Sequence, residues 1–158
     1  MPATLMLSGP SDTERLARAI APRLGPGDLV GLVGGLGAGK SVFARALIAA
    51  RLGALGRDEP IPSPSYTLVH VYDLGNEELW HADLYRLADA GELRELGLTE
   101  ALERCICVVE WADRLGLATP DRALLVRLDF DGSEQDRRIA TIEPRGPGWE
   151  WLAEALAA

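Results

Sequence analysis

The sequence predicts an α/β fold, on three observations. The stretch Gly34-Gly35-Leu36-Gly37-Ala38-Gly39-Lys40-Ser41 matches the phosphate-binding pattern G-x-x-x-x-G-K-[ST] at every fixed position. Its flanks belong to a strand, loop and helix: Leu29-Val30-Gly31-Leu32-Val33 is a continuous apolar run suited to a strand buried on both faces. Phe43, Ala46, Leu47 and Ala50 then recur at helical spacing until Gly53 offers a stop. Along the rest of the chain, strand-like and helical stretches are interleaved, and two short turn signals mark hairpins.

In chain order, Thr4 to Ser8 reads as a short strand. Ser11-Asp12-Thr13-Glu14 has the spacing of a capping box for a first helix, with Leu16, Ile20 and Leu24 on one face and Pro22 ending or kinking its last turn. Gly25-Pro26-Gly27 is a loop into the phosphate-loop strand. After the phosphate-loop helix, Arg57 to Ser65 carries three prolines and must be loop. Tyr66 to Leu74 and Glu77 to Leu87 read as strands turning at Gly75-Asn76. In the second of them Trp80, Ala82 and Leu84 face one side, and His81, Asp83 and Tyr85 the other, a face that period alone reads as solvated. Helical sequence follows from Asp89 to Glu103, broken at Gly97, and then Cys105-Ile106-Cys107-Val108-Val109 reads as another buried strand ending in Glu110-Trp111. Ala123 to Phe130 and Arg137 to Glu143 alternate around Asp131-Gly132-Ser133 as a second hairpin. A short helix from Gly148 to Leu156, with Trp149, Leu152, Ala153 and Leu156 on one side, closes the chain. Nothing in this last third points to chemistry.

The chemistry sits earlier. Glycines let successive backbone N–H groups approach phosphate oxygens, and the helix N-terminus adds partial positive charge. Lys40 supplies a mobile charge for the β- and γ-phosphates, and the Ser41 hydroxyl is placed to ligate Mg²⁺. The proline-rich loop brings hydroxyls at Ser63 and Ser65, either as a stiff connector or as a switch segment approaching the metal or γ-phosphate. Asp83, near the end of a strand, is a candidate partner of metal or water. Glu110 closes a buried strand where a second motif of phosphate-loop proteins holds Mg²⁺ or orients water. Trp111 is either core filler or a contact surface beside the nucleotide.

At 158 residues the chain is read as one domain spanning 1–158, with a formal net charge of −8 and no lysine besides Lys40. Positive charge comes from arginines scattered among carboxylates, which argues against autonomous binding of nucleic acid, because neutralising phosphates takes clustered cations. Cys105 and Cys107 alternate within an apolar run and are read as reduced thiols on one face of a strand. No signal-like segment opens the chain and no apolar run approaches ~18 residues, so the expectation is a cytoplasmic protein without a membrane partner.

Taken together, the phosphate loop, Ser63-Pro64-Ser65-Tyr66-Thr67-Leu68, His81-Ala82-Asp83-Leu84-Tyr85-Arg86-Leu87 and Val109-Glu110-Trp111 resemble the TsaE (YjeE) family of bacterial ATPases, in order and in spacing over most of the chain. The resemblance implies a three-layer α/β/α P-loop NTPase fold with a mixed central sheet. It also implies an ATPase that uses ATP and Mg²⁺ and works with the proteins TsaB and TsaD to place threonylcarbamoyl on the adenosine beside the tRNA anticodon. ATP hydrolysis would reset that complex, and tRNA would be met only through the partners. Carried over by position, the nucleotide would meet Gly35, Leu36, Gly37, Ala38, Gly39, Lys40, Ser41, Val42, Ser65 and Trp111. Metal would meet Ser41, Glu110 and Asp83, and Glu110, Asp83 and Lys40 would carry catalysis. The family's usual aspartate after the first loop glycine is Gly35 here, its threonines are Ser41 and Ser65, and a common proline after the tryptophan is Ala112.

Two other readings compete. A small-molecule kinase would need an arginine-bearing lid and an acceptor pocket, and no segment resembles either. A GTP-binding switch would need the guanine-reading N-K-x-D element, which a chain with its single lysine in the phosphate loop lacks.

Overall fold

The structure, a computed structural model, describes residues 2–157. These residues form a seven-stranded mixed sheet from β1 (Ala3–Leu7), β2 (Leu29–Val33), β3 (Val69–Asp73), β4 (Glu78–Asp83), β5 (Ile106–Glu110), β6 (Ala123–Phe130) and β7 (Arg138–Arg145), in the order β1-β7-β6-β2-β5-β4-β3. The four inner strands β6, β2, β5 and β4 run parallel, while β3, β7 and β1 add antiparallel pairs at the two margins.

Helices cover both faces, because the inner strands are apolar on both sides and each side has to be buried. On one face α1 (Pro10–Ile20), α2 (Lys40–Gly53) and α5 (Leu152–Ala157) pack Leu16, Ile20, Phe43, Leu47 and Leu152 against Val30, Leu32, Val108 and Val126. On the other, α3 (Gly91–Glu95), α4 (Leu98–Arg104) and the 3₁₀ segment Ala112–Ala118 pack Leu93, Leu98, Leu102 and Leu115 against Leu29, Ala82, Cys107 and Val109. The result is the expected three-layer α/β/α arrangement. Gly31 is required at the centre of β2, since a Cβ there would lie 2.8 Å from Leu125 Cδ2 and 2.9 Å from Ala112 Cβ. Both thiols share the second face, and burial pushes the Cys107 thiol up to about 12.

Several expected boundaries move. The capping box does not form: α1 starts at Pro10 with Gly9 at the N-cap and no side-chain cap, and the Asp12 carboxylate instead accepts from Ser8 N–H at 2.9 Å. Proline at the first helical position has the required φ and no N–H to satisfy, so the helix opens before Ser11. The strand expected from Glu77 to Leu87 stops at Asp83, because the Asp83 side chain accepts from the Tyr85 N–H at 3.0 Å and turns the chain out of the ladder. Its partner is also short, beginning only at Val69 after a turn in which Leu68 takes φ 69° and donates to the Pro64 carbonyl at 2.7 Å. The break at Gly97 is present, with φ 83°. The closing helix begins later than expected, after a turn in which Leu152 N–H donates to Trp149 carbonyl. This buries Trp149, Leu152 and Ala155 and leaves Ala153 exposed.

Candidate functional site

The phosphate loop leaves β2 and enters α2, and the sheet dictates its path. At Gly34 a Cβ would fall 2.5 Å from the Leu128 carbonyl oxygen of β6, so the chain passes there only without a side chain. Gly37 and Gly39 take φ 77° and 111°, and Gly39 is the N-cap of α2, so Lys40 and Ser41 open the helix with their N–H groups facing the loop's concavity. Lys40 lies across the loop, donating from Nζ to the Gly34 carbonyl at 2.6 Å and to the Gly35 carbonyl at 2.7 Å, with the Trp111 ring centroid 4.1 Å away. Burial lowers the Lys40 pKa below its ordinary value, opposed by the negative charges of Glu110, Asp83 and Asp113.

Opposite the loop stand the acids. Strands β4 and β5 are parallel neighbours with Asp83 paired in register to Glu110 and His81 to Val108. Since side chains two residues apart share a face, His81, Asp83 and Glu110 all lie on the α2 side of the sheet. Glu110 accepts from the Ser41 hydroxyl at Oε1 (2.7 Å) and stands 2.7 Å from His81 Nε2 at Oε2. Asp83 is met by the Ser65 hydroxyl at 3.3 Å, and Ser65 in turn by Ser63 at 2.9 Å. The face that periodicity alone reads as solvated is therefore buried beneath the start of α2, with His81 0%, Glu110 2% and Asp83 6% exposed. Tyr85 lies beyond the end of the strand, 44% exposed, its ring centroid 4.9 Å from that of Trp111.

Between loop and acids lies an open cleft of about 290 Å³. Of the residues the sequence singled out, Leu36, Gly37, Gly39, Lys40, Ser41, Val42, Ser65, Asp83, Glu110 and Trp111 line it together. Gly35 takes part through its carbonyl on Lys40, and Ala38 is 1% exposed, packed beneath the loop near Gly34. Sequence reading missed three residues. His81 was placed on the right face but not joined to Glu110, and its two-residue offset from Asp83 was the available signal. Tyr85 borders the cleft, and Arg138, from the third of the chain read as purely structural, donates to the Gly37 carbonyl at 3.2 Å while stacked on Phe130. No local signal marks Arg138, which reaches the loop only through the pairing of β6 and β7.

The donor chemistry suits a nucleoside triphosphate with a hard divalent cation. Backbone N–H groups and Lys40 face the loop, and the oxygens of Ser41, Glu110 and Asp83 border the same cleft. Mg²⁺ is usually held by one or two carboxylates together with phosphate oxygens and water. Among the described residues no group of three or more His, Cys, Asp and Glu side chains could cage a metal by itself.

Comparison with known proteins agrees in family and in fold. The family model described as threonylcarbamoyl adenosine biosynthesis protein TsaE matches residues 7–139. The tRNA threonylcarbamoyladenosine biosynthesis protein TsaE of Rickettsia felis is 34% identical over 139 residues, covering 87% of this chain and 78% of the relative. Its namesake in Bacillus subtilis is 33% identical over 149 residues, covering 94% and 89%. Among solved structures, that of Bacillus subtilis YdiB superposes with a TM-score of 0.76 at 27% identity, covering 99% of this chain and 95% of that one.

Proposed function

The chain belongs to the TsaE family of tRNA threonylcarbamoyladenosine biosynthesis proteins, and on that premise we propose that residues 1–158 act as one Mg²⁺-dependent P-loop ATPase domain, partnered by TsaB and TsaD. The observation that carries this reading is the bond between Ser41, at the mouth of the phosphate loop, and the buried Glu110. It ties the phosphate site to an acid that has no structural need to be buried there.

The geometry supports the following division of roles. The loop N–H groups and the helix N-terminus bind the phosphates, and Lys40 exchanges the Gly34 and Gly35 carbonyls for β- and γ-phosphate oxygens, with which its charge interacts more strongly. Mg²⁺, held through Ser41 and Glu110 with Asp83 nearby, would neutralise charge on the β- and γ-phosphates. Asp83, joined to Ser65 of the proline-rich loop and paired in register with Glu110, would orient the attacking water. Trp111 and Tyr85 wall the cleft beside the nucleotide. The net charge of −8 leaves tRNA to the partner proteins, and such work belongs in the cytoplasm. Among the described residues no helix is long and apolar enough to cross a membrane.

The test is steady-state phosphate release from ATP and from GTP, first with the protein alone and then with TsaB and TsaD added in steps. The expected result is slow hydrolysis of ATP that rises several-fold and saturates with partner concentration. A full rate without partners, or phosphate appearing on a small-molecule acceptor, would favour a stand-alone hydrolase or kinase instead.

A further inference from the structure

Glu110 is held at both carboxylate oxygens, and the two bonds differ in kind. The bond at Oε1 comes from Ser41, at the edge of the cleft, and is available for exchange when a ligand enters. The bond at Oε2 involves His81 Nε2, which is wholly enclosed. A carboxylate offers only acceptors, so Nε2 carries the hydrogen and donates it. Among the described residues the other ring nitrogen, Nδ1, is buried without a hydrogen-bond partner, and the bond to Glu110 is the one they offer this imidazole. Burying a polar ring is unfavourable, and the neighbouring strand positions on this face, Leu79, Ile106 and Val108, are filled with apolar side chains. An apolar side chain of comparable size would occupy this place without that penalty. The imidazole therefore serves the acid more than the core.

We infer that His81 is a positioning residue for Glu110: it retains Oε2 inside the sheet layer so that the carboxylate presents one oxygen, Oε1, to Ser41 and the cation. With Oε2 released, rotation about the Cγ–Cδ bond would exchange the two oxygens and blur the direction from which the acid acts. The inference rests on the proposed Mg²⁺–nucleotide site and adds to it the residue that fixes the acid. Groups that hydrogen-bond a metal-ligating carboxylate typically change metal affinity by about 10–100-fold when removed.

The experiment is calorimetric titration of ADP with Mg²⁺ present and with Mg²⁺ chelated. His81→Phe keeps the ring and removes the donor. Its expected effect is a loss of about tenfold or more in the enhancement of ADP affinity by Mg²⁺, with affinity for metal-free ADP unchanged. His81→Gln, whose amide nitrogen reaches the place of Nε2, should retain most of the enhancement, whereas the shorter His81→Asn should lose it. In a Glu110→Gln background His81→Phe should cause no further loss. Equal weakening of metal-free and metal-bound ADP in His81→Phe would make the ring ordinary packing and overturn the inference. Should His81→Phe fail to fold, the Gln and Asn variants decide, and equal enhancement in those two overturns it. Wild-type protein with no enhancement at all would instead overturn the proposed Mg²⁺ site, and the inference with it.

Discussion

The two loops that face each other across the cleft are built on opposite plans. The phosphate loop, 34–41, is fixed along its whole length: Gly34 threads past the Leu128 carbonyl, Gly37 and Gly39 take φ values that L-residues avoid, and Lys40, Arg138 and the Ala38 N–H tie down its carbonyls. The proline-rich loop, 57–68, is fixed at its ends. At one end Arg57 donates from its backbone N–H to the Leu52 carbonyl and from its side chain to the Asp73 carbonyl, and at the other Leu68 bonds to Pro64 and to Asp83 N–H. Between them Pro60, Pro62 and Pro64 have no N–H to donate, and the side-chain hydrogen bonds of this middle stretch run from Ser63 to Ser65 and on to Asp83, the last at 3.3 Å. One loop is a preformed cradle, and the other is a stiff segment with a weak latch. A hydroxyl donating to a carboxylate contributes about 1.5–3 kcal/mol at good geometry, but at 3.3 Å this bond is long and falls short of that, which is small enough for ligand or partner binding to exchange it. A catalytic loop that spends only part of its time in place lowers the rate by that fraction, which would give the proposed partner stimulation a physical origin.

Substitutions sharpen this contrast, and the largest effect is expected at Gly34. Gly34→Val forces side-chain atoms onto the Leu128 carbonyl and should cost roughly 3 kcal/mol of stability, lowering Tm by about 10 °C, with nucleotide binding lost in whatever remains folded. Denaturant titration and a thermal melt measure it; a wild-type melt would mean that the loop is not pinned to β6. Lys40→Ala comes next. It should lower Tm by less than Gly34→Val does, since it frees the Gly34 and Gly35 carbonyls without a clash, and weaken ATP by about one to two orders of magnitude, in line with about 1.5–3 kcal/mol for a charge-assisted bond. Unchanged affinity by calorimetry would move the phosphate site elsewhere.

Glu110→Gln keeps the shape of the side chain and loses its charge. Hydrolysis in the presence of partners should fall by about ten- to a hundredfold while ATP still binds. Asp83→Asn is the matched measurement, and it should also depress turnover but preserve the Mg²⁺ dependence of binding. If Asp83→Asn alone abolishes that dependence, the assignment of the two acids is reversed. The smallest change is Ser65→Ala, which removes the latch. Partner-stimulated turnover should drop about fivefold, corresponding to about 1 kcal/mol, with ATP affinity within a factor of about two of wild type. A Ser65→Ala variant that matches wild type in turnover would reduce the proline-rich loop to a connector and dissolve the contrast.

The sequence by itself determined whatever depends on neighbours a few residues apart. The glycines between Gly34 and Ser41 permit the backbone the loop adopts, the apolar runs of β2 and β5 require helices on both sides, Gly97 breaks its helix, and Gly75-Asn76 turns its hairpin. Backbone preference and burial act locally, so these features can be read without knowing where the chain goes next. The tertiary structure alone decided which distant groups meet. Ser41 reaches Glu110 across 69 residues of sequence, His81 reaches it across 29, and Arg138 reaches Gly37 across 101. Each of these meetings depends on strand order and register. A slip of one residue between β4 and β5 would turn His81 and Asp83 to the opposite face of the sheet from Glu110, and no short-range preference in either strand records that choice.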